Sequence, residues 1–300
     1  MSEPEPGQDV LREALNQCAV ELRRAEREAE VAERHETAAD GCPPRLREHH
    51  TRMAAVHRQA ERRHRAAAAV HQSFAERVRT WSAAIAPADR GRPLVLTPLL
   101  LAAVADSAEA QGAAVTLFGQ DREEVLSAAS DSKVKSVQDL EFVCGEGPAH
   151  TCNRLRRAVT ATGAELTMRW PLYGPAAALL GVQRLAAVPI EIGLRPVGAL
   201  TVYEPVTRRG VADLDLLRTI AGTLHSIALA GAGGPGDRYP LFSAADWHGV
   251  VHQATGIVAV QRGCSLADAL AVIKARAFAA DVPVDTLAAD VVARRVQLAD

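Results

Sequence analysis

The organisation of this chain is decided by residues 250–298, VVHQATGIVAVQRGCSLADALAVIKARAFAADVPVDTLAADVVARRVQL. Apolar residues recur in and just before this stretch at helical spacing three times in succession, with almost no loop between the repeats. Three helices of this size can cover one another's apolar faces, so the stretch predicts a small three-helix bundle. The three apolar sets are Trp247, Val250, Val251, Ala254, Ile257 and Val258; Leu266, Ala269, Leu270, Ile273 and Ala277; and Val284, Leu287, Ala288, Val291 and Val292.

Residues with strong capping preferences mark the ends of these helices. Gly263 follows the first apolar set, where a glycine commonly closes a helix. Ser265 stands three residues before Asp268 and can cap the second helix. Pro283 fits the first turn of the third helix. The caps and the apolar spacing therefore predict the same three helices.

This stretch resembles the ANTAR domain, the RNA-binding antitermination module of bacterial regulators. The resemblance implies that residues 241–300 bind tandem hairpins in nascent transcripts, and that they do so as a dimer. One position departs from the family pattern, because Thr255 stands where relatives often carry Lys, so one phosphate contact is missing. The matching residues are His252-Gln253-Ala254-Thr255-Gly256-Ile257, Ser265, Ala269-Leu270, Ala277-Phe278, Leu287-Ala288 and Val291-Val292.

Basic and polar side chains of this stretch are the candidate RNA contacts. Residues 241–300 carry five basic and six acidic side chains, so phosphate binding requires the cations to gather on one face. Arg294 and Arg295 also fit an ordinary basic helix C-terminus, where cations offset the helix dipole. The candidates are His252, Gln253, Thr255, Arg262, Lys274, Arg276, Arg294 and Arg295.

Residues 9–86 predict an antiparallel helical hairpin with coiled-coil packing, after a disordered start at residues 1–8. Gly41-Cys42-Pro43-Pro44 separates two heptad patterns. Residues 1–43 hold five Arg against eleven Asp and Glu, and residues 44–86 hold nine Arg against three Glu, which favours folding back and pairing as a homodimer. The expected seams are Leu11, Leu15, Cys18, Leu22, Ala25, Ala29 and Ala32, and Leu46, Met53, Ala60, Ala67, Phe74 and Trp81.

Four histidines, His50, His57, His64 and His71, follow one another at intervals of seven in the second heptad pattern. One interpretation is a proton-sensitive seam, because protonated imidazoles repel and are costly to bury. Another is a polar stripe that sets the helix register. A metal site is disfavoured, because residues seven apart lie about 10 Å apart along one helix.

Residues 93–230 predict an antiparallel sheet with helices packed on it, so the whole chain is expected to be an α+β multidomain protein. Thr97 and Pro98 fit the start of a helix. Two strand pairs are expected, 113–118 with 125–128 and 185–190 with 197–203, the second pair turning around Gly193. A helix over residues 211–230 closes the segment.

The run QDLEFVCGEGP (residues 138–148), Trp170-Pro171 and Gly198-Ala199-Leu200 resemble a GAF domain, in particular that of bacterial GAF–ANTAR regulators. The resemblance implies a cavity for an unknown small ligand, with Cys144, Glu146 and Trp170 as pocket residues. The residue set of cyclic-nucleotide GAF domains and a chromophore-attaching Cys-His pair are both missing, so neither ligand is expected. No cofactor or metal is predicted.

Cysteine usage favours a binding protein over an enzyme. The five cysteines are scattered and form no CxxC pair, which is typical of free thiols in a reducing cytoplasm. Cys144 and Cys152 flank the Gly-Glu-Gly-Pro loop and could act as attacking and resolving thiols, although small apolar fillers are the simpler interpretation. We therefore predict no catalytic residues.

The sequence as a whole predicts a cytoplasmic, RNA-binding transcription antitermination regulator. Residues 231–240 form a Gly-rich linker, and such a tether cannot transmit rotation, so a signal must travel by docking, by release or by the spacing of two output domains. No apolar run is long enough to cross a membrane. The alternative function is a ligand-sensing protein-interaction adaptor without RNA binding.

Overall fold

The computed structural model describes residues 8–84, 96–119, 122–193, 195–205, 212–230, 249–280 and 282–298. The expected disordered start, apart from its last residue, the Gly-rich linker and Trp247 lie outside these ranges. The helices are α1 Gln8–Asp40, α2 Pro44–Ala84, α3 Leu96–Ser107, α4 Ser132–Cys144, α5 Pro148–Leu155, α6 Ala164–Arg169, α7 Tyr173–Leu179, α8 Leu214–Ala230, α9 Gly249–Arg262, α10 Leu266–Ala280 and α11 Val284–Val292. The strands are β1 Ala110–Phe118, β2 Glu124–Ala129, β3 Val159–Thr162, β4 Arg184–Ile192 and β5 Arg195–Pro205.

The chain divides into two compact units. The first contains α1, α2, α3 and α8, and the second contains the sheet, α4 to α7 and α9 to α11. This division differs from the expected boundaries, because α3 and α8 were expected within the sheet-containing domain at residues 93–230. Both helices pack on α2, which accounts for their place in the first unit.

In the first unit, α1 and α2 pack against each other as an antiparallel pair. Arg58 donates two hydrogen bonds to the carboxylate of Glu36, at 2.9 and 2.7 Å. Near the break between the helices, the Nε atom of Arg47 donates to the Ala39 carbonyl at 3.2 Å. The opposite charges of the two helices therefore meet across the hairpin, as the sequence predicts.

One of the two predicted seam columns of α1 is wrong. Leu15 and Leu22 are 48% and 46% exposed, whereas the neighbouring column buries Ala14 and Glu21. The other column is confirmed, since Cys18, Ala25 and Ala32 are buried. On α2 the predicted seam is confirmed in part, because Ala67 and Phe74 are buried whereas Leu46 is 53% exposed. The neighbouring column is also buried, at Ala54, Glu61, Ala68 and Ala75.

Hydrogen bonds between histidines and glutamates explain the displaced seam. His57 Nδ1 lies 2.6 Å from a carboxylate oxygen of Glu28, and His64 Nδ1 lies 2.5 Å from one of Glu21. His64 follows His57 by seven residues on α2, and Glu21 precedes Glu28 by seven residues on α1. The two pairs therefore follow one antiparallel register. Leucines at these α1 positions would remove the hydrogen-bond partners of two partly buried imidazoles, which is unfavourable.

The other two histidines of the column have different surroundings. His50 Nδ1 lies 2.9 Å from Nδ1 of His35, so one ring must donate and the other accept. His71 is buried at the Ala14 end of the column. Burial lowers the pKa of His71, and the carboxylates of Glu21 and Glu13 oppose this only in part.

The buried His71 makes the first unit sensitive to acid. Because its folded-state pKa is depressed, the stabilisation is present above its unfolded pKa and is lost as the pH falls through the folded value. We expect His71→Leu to reduce the loss of unfolding free energy between pH 7 and pH 5, measured by urea denaturation.

His49→Leu, at an exposed position, is the matched control and should keep the acid dependence of the wild type. An equal acid dependence in His71→Leu and the wild type would contradict the prediction.

In the second unit, five strands form one sheet in the order β2-β1-β5-β4-β3. β1 pairs antiparallel with β2, and β4 pairs antiparallel with β5, so both predicted strand pairs are confirmed. Gly193 takes a left-handed φ of +65° at the β4–β5 turn. Gly198 is also required, because a Cβ there would lie 2.4 Å from the Thr116 carbonyl oxygen on β1.

The last three helices of the unit, α9 to α11, pack around a shared apolar core, and we call them the three-helix segment. Gly263 has φ +61° after α9, Ser265 Oγ accepts from the Asp268 amide at 3.1 Å, and Pro283 precedes α11. The predictions for Gly263 and Ser265 are confirmed, whereas Pro283 is the N-cap residue of α11 and lies just before its first turn. The core includes Val251, Ala254, Val258, Ala269, Ile273, Ala277, Val284, Leu287, Ala288 and Val291.

Two further properties concern only the described part of the chain. No single helix in it is long and apolar enough to cross a membrane, and only α9 and α10 taken together, bent by 109°, reach the required length and composition. Within the same residues, no group of three or more His, Cys, Asp or Glu is arranged to hold a metal ion.

Candidate functional site

Helix α4 lies between the sheet and the three-helix segment, and it organises both candidate sites. Asp131 caps its start by accepting from the Val134 amide at 3.0 Å. Gly145 ends it in the left-handed conformation, and its amide donates to the Glu141 carbonyl at 3.0 Å. On the side facing the sheet, Gln138 donates to the Val115 carbonyl at 3.1 Å.

Glu141 is the buried acid of this helix. It is 2% exposed, and its Oε1 atom accepts from the His150 amide at 2.9 Å, at the start of α5. Gly147 makes room for it, because a Cβ at this position would lie 2.6 Å from the Glu141 carboxyl carbon. Burial raises the pKa of Glu141 to about 7, although His150 and the α5 amides favour the ionised form.

His150 and Glu124 complete a buried charged cluster around Glu141. The Nε2 atom of His150 lies 3.6 Å from a Glu124 carboxylate oxygen, which is a charge contact beyond hydrogen-bond distance. Burial alone would lower the pKa of His150, but the carboxylates of Glu124 and Glu141 raise it above its ordinary value. Glu141 belongs to the loop motif identified in the sequence, but only the structure shows that it is buried beside a histidine.

The three predicted pocket residues do not surround one opening. Glu146 Oε1 accepts from the backbone amides of Leu172 and Tyr173, at 2.6 and 3.1 Å, and so holds the start of α7. Trp170 is buried in the sheet core, where its Nε1 donates to Thr151 Oγ1 at 2.9 Å. A core side chain cannot line the mouth of a cavity, so that expectation for Trp170 is corrected.

The third predicted pocket residue, Cys144, is half-buried, and Cys152 is fully buried. Burial raises the pKa of Cys144 to about 11 and that of Cys152 to about 12. Because the thiolate is the reactive form of cysteine, these values disfavour nucleophilic chemistry at either sulfur. The packing of both thiols agrees with small apolar fillers.

Two predicted RNA contacts of the three-helix segment have internal partners. Thr255 is 5% exposed, and its hydroxyl donates to the Val251 carbonyl at 2.7 Å. Lys274 is partly buried, with its Nζ atom 3.8 Å from the centre of the Phe142 ring on α4. Thr255 faces the core because it occupies the inner side of α9, so it is corrected as an RNA contact, whereas Lys274 stays a prediction.

The other predicted contacts are exposed but differ in their interactions. His252, Gln253 and Arg276 are exposed. Arg295 is held by Asp290, with its Nε atom 2.7 Å from the carboxylate. Arg262 donates to the Leu298 carbonyl at 2.8 Å and thereby anchors the end of the chain beside α9.

A groove between α9 and the residues that follow α11 brings two of the predicted contacts together. Its volume is about 640 Å³. The described residues that line it include one cation, three amide side chains and no carboxylate. They are Gln253, Gly256, Ile257, Val260, Gln261, Arg294, Val296 and Gln297. We call this the amide groove.

Comparison with solved structures finds similar chains, one of which is a GAF domain. The chain is similar to the GAF domain of a phosphoenolpyruvate-protein phosphotransferase from Acinetobacter, with 14% identity over 54% of this chain and 94% of that chain. The TM-score is 0.34, which is too low for the superposition to support a further argument. No protein-family model and no curated protein matches the sequence.

The buried Glu141 makes a testable contribution to pH-dependent stability. Its pKa is raised from 4.5 to about 7, so the folded state holds its proton more tightly than the unfolded state, and stability falls as the pH rises between these values. Glu141→Gln removes the ionisation. We expect it to abolish a loss of about 3 kcal/mol in unfolding free energy between pH 4.5 and pH 8.

Urea denaturation of the wild type and the variant at several pH values measures this loss. Glu48→Gln, an exposed change on α2, is the control and should keep the wild-type profile. A profile of Glu141→Gln that falls as steeply as the wild type would rule out Glu141 as the titrating group.

Proposed function

We propose that the protein is an RNA-binding transcription antitermination regulator, in which a GAF-like sheet domain controls an ANTAR-like three-helix output segment. The amide groove is the observation that carries this proposal. It places Gln253, from the motif that resembles ANTAR helices, beside Arg294 from the other end of the segment. Cationic and amide side chains are the groups that contact phosphates and base edges in nucleic acids.

The distribution of charge supports binding at this groove. The three-helix segment carries no excess of positive charge, so a polyanion needs a local surface without carboxylates. The amide groove provides such a surface, because Arg294 lines it without any lining Asp or Glu. The nearest basic neighbour in sequence, Arg295, is instead neutralised by Asp290.

The sheet domain supports a sensory role through its buried charged cluster. A carboxyl group with a pKa near 7, next to a histidine, changes charge in response to small changes in its surroundings. An unknown small ligand of the GAF-like domain is the expected signal. Within this proposal the protein acts in the cytoplasm and pairs as a homodimer through its helical hairpin, so that two output segments engage tandem RNA hairpins.

The proposal is tested by mobility shift with a tandem-hairpin RNA over a range of salt concentrations. We expect Arg294→Gln to weaken binding about threefold to tenfold and to reduce the salt dependence by about one phosphate contact, since one cation is lost from the groove. Arg295→Gln removes the same charge from the neighbouring residue and should have a smaller effect, because Asp290 already holds it.

Two results would contradict the proposal. Absence of a shift at low salt, with a folded wild-type protein, would exclude RNA binding. Equal effects of Arg294→Gln and Arg295→Gln would show that the amide groove is not the contact surface.

A specific observation also favours the second candidate function, a ligand-sensing protein-interaction adaptor. Large apolar side chains are uncovered on the three-helix segment, with Val260 84% exposed and Leu266 63% exposed. Exposed apolar side chains of this size are common at protein contacts. Loss of partner binding in Leu266→Asp, which lies outside the amide groove, together with no RNA shift by the wild-type protein at low salt, would favour the adaptor.

A further inference from the structure

Helix α4 contributes successive residues to two different cores. Glu141 is buried against the sheet and the start of α5, whereas Phe142 is 2% exposed and belongs to the core of the three-helix segment. Successive residues of a helix point about 100° apart, so one rigid helix faces both partners. A movement of α4 relative to the sheet therefore moves a side chain of the other core.

The contact between α4 and α10 sequesters a basic residue. Nζ of Lys274 lies 3.8 Å from the centre of the Phe142 ring, a distance at which a cation is attracted by the aromatic face. The carboxylates of Glu123 and Glu124 also attract this ammonium group. The sheet domain thus holds the ammonium group of Lys274, which would otherwise be available to an external anion.

A second charged contact lies beside the first. Nζ of Lys135 on α4 lies 3.6 Å from a carboxylate oxygen of Asp285 on α11. Both side chains are partly exposed, at 46% and 31%, so the pair is at the rim of the contact. Such a pair contributes little energy but responds to charge substitution without disturbing a core.

The contact between α4 and the three-helix segment leaves a groove along one side. A largely apolar groove of about 500 Å³ separates α4 and α7 from α10 and α11. Leu179 and Phe278 line it and are 90% and 51% exposed. Apolar side chains left uncovered at the edge of an interface indicate a contact that is not fully optimised, which suits one that opens and closes.

We propose that α4 is a docking surface for the three-helix segment, and that α4 and a nucleic-acid phosphate compete for Lys274. In the docked state, Phe142 holds the ammonium group and the segment binds RNA through the amide groove alone. Release of α4 frees Lys274 and adds a phosphate contact. This inference rests on the proposed function and names its regulation.

Docking of the three-helix segment on α4 also provides a path for a signal from the sheet domain. Docking on α4 joins the sheet domain directly to the three-helix segment, because Phe142 of α4 belongs to the core of that segment. Any change at the buried cluster of Glu141, His150 and Glu124 acts on α4 or on the strand beside Lys274. The affinity for RNA then depends on the fraction of molecules that are undocked.

The test uses the full-length protein and two measurements, RNA mobility shift and hydrogen exchange of the α10 amides. We expect Phe142→Ala to increase exchange in α10, to raise RNA affinity about threefold to tenfold and to steepen the salt dependence by about one phosphate contact. Lys274→Met should lower the affinity of the wild type much less than it lowers that of Phe142→Ala, because Lys274 is masked in docked molecules. The double variant Phe142→Ala/Lys274→Met should lose the gain.

A second variant covers the case in which Phe142→Ala does not fold. Lys135→Glu opposes Asp285 at the rim and should produce the same changes in smaller amount. Because Lys135 also donates to Asp139 at 2.9 Å, Lys135→Glu/Asp285→Lys should reverse them in part. Lys133→Glu is the matched control, since it makes the same charge change on the exposed first turn of α4. It should leave both measurements unchanged.

The possible failures are distinguishable. Increased exchange with unchanged RNA affinity would overturn the competition while leaving RNA binding intact. An equal loss of affinity from Lys274→Met in the wild type and in Phe142→Ala would show that Lys274 already contacts RNA in the docked state, which also overturns it. If no variant binds RNA at low salt, the proposed function fails and this inference fails with it, whereas hydrogen exchange still reports whether α4 and α10 are docked.

Discussion

The burial of two different faces of α4 is the constraint on which the second unit depends. One face must satisfy Gln138 and Glu141 within the sheet domain, and the other must supply Phe142 to the three-helix segment. A helix fixed on both sides cannot turn without leaving a buried polar group unpaired or an apolar core incomplete, and both are costly. The loop after α4 follows from this constraint, because Gly147 is the residue that leaves space for the Glu141 carboxyl group.

In the first unit, polar side chains fix the register in which α1 packs on α2. Its histidine column is matched by Glu21, Glu28 and His35 on α1, and each pair fixes the same antiparallel register. Hydrogen-bonded pairs specify one alignment more strictly than alanines do, because a slip of one residue would separate the partly buried imidazoles from their partners. The column therefore favours the interpretation of a register-setting stripe, with acid sensitivity as a consequence at His71.

The partners of individual charged residues explain how the three-helix segment can bind a polyanion without net positive charge. Its cations and carboxylates nearly cancel in number, yet they are not equivalent: Asp290 neutralises Arg295, Phe142 covers Lys274, and Arg262 is used to anchor the end of the chain. Arg294 lines a groove free of carboxylates. A segment without net positive charge can therefore present a local surface suited to a polyanion, and its affinity depends on which cations are released from internal partners.

The amino-acid sequence by itself determined the elements whose signals are local. Helical apolar spacing and caps such as Gly263 and Ser265 placed α9 to α11, and alternating β-rich runs placed two strand pairs of the sheet. The short strand β3 was missed because four residues carry too little pattern. Tertiary structure alone decided which helix faces are buried: it displaced the hairpin seam from Leu15 to Ala14, turned Thr255 and Lys274 inward and placed Trp170 in a core. The physical reason is that periodicity defines the faces of a helix, whereas the chemistry of the partner helix or sheet decides which face it covers.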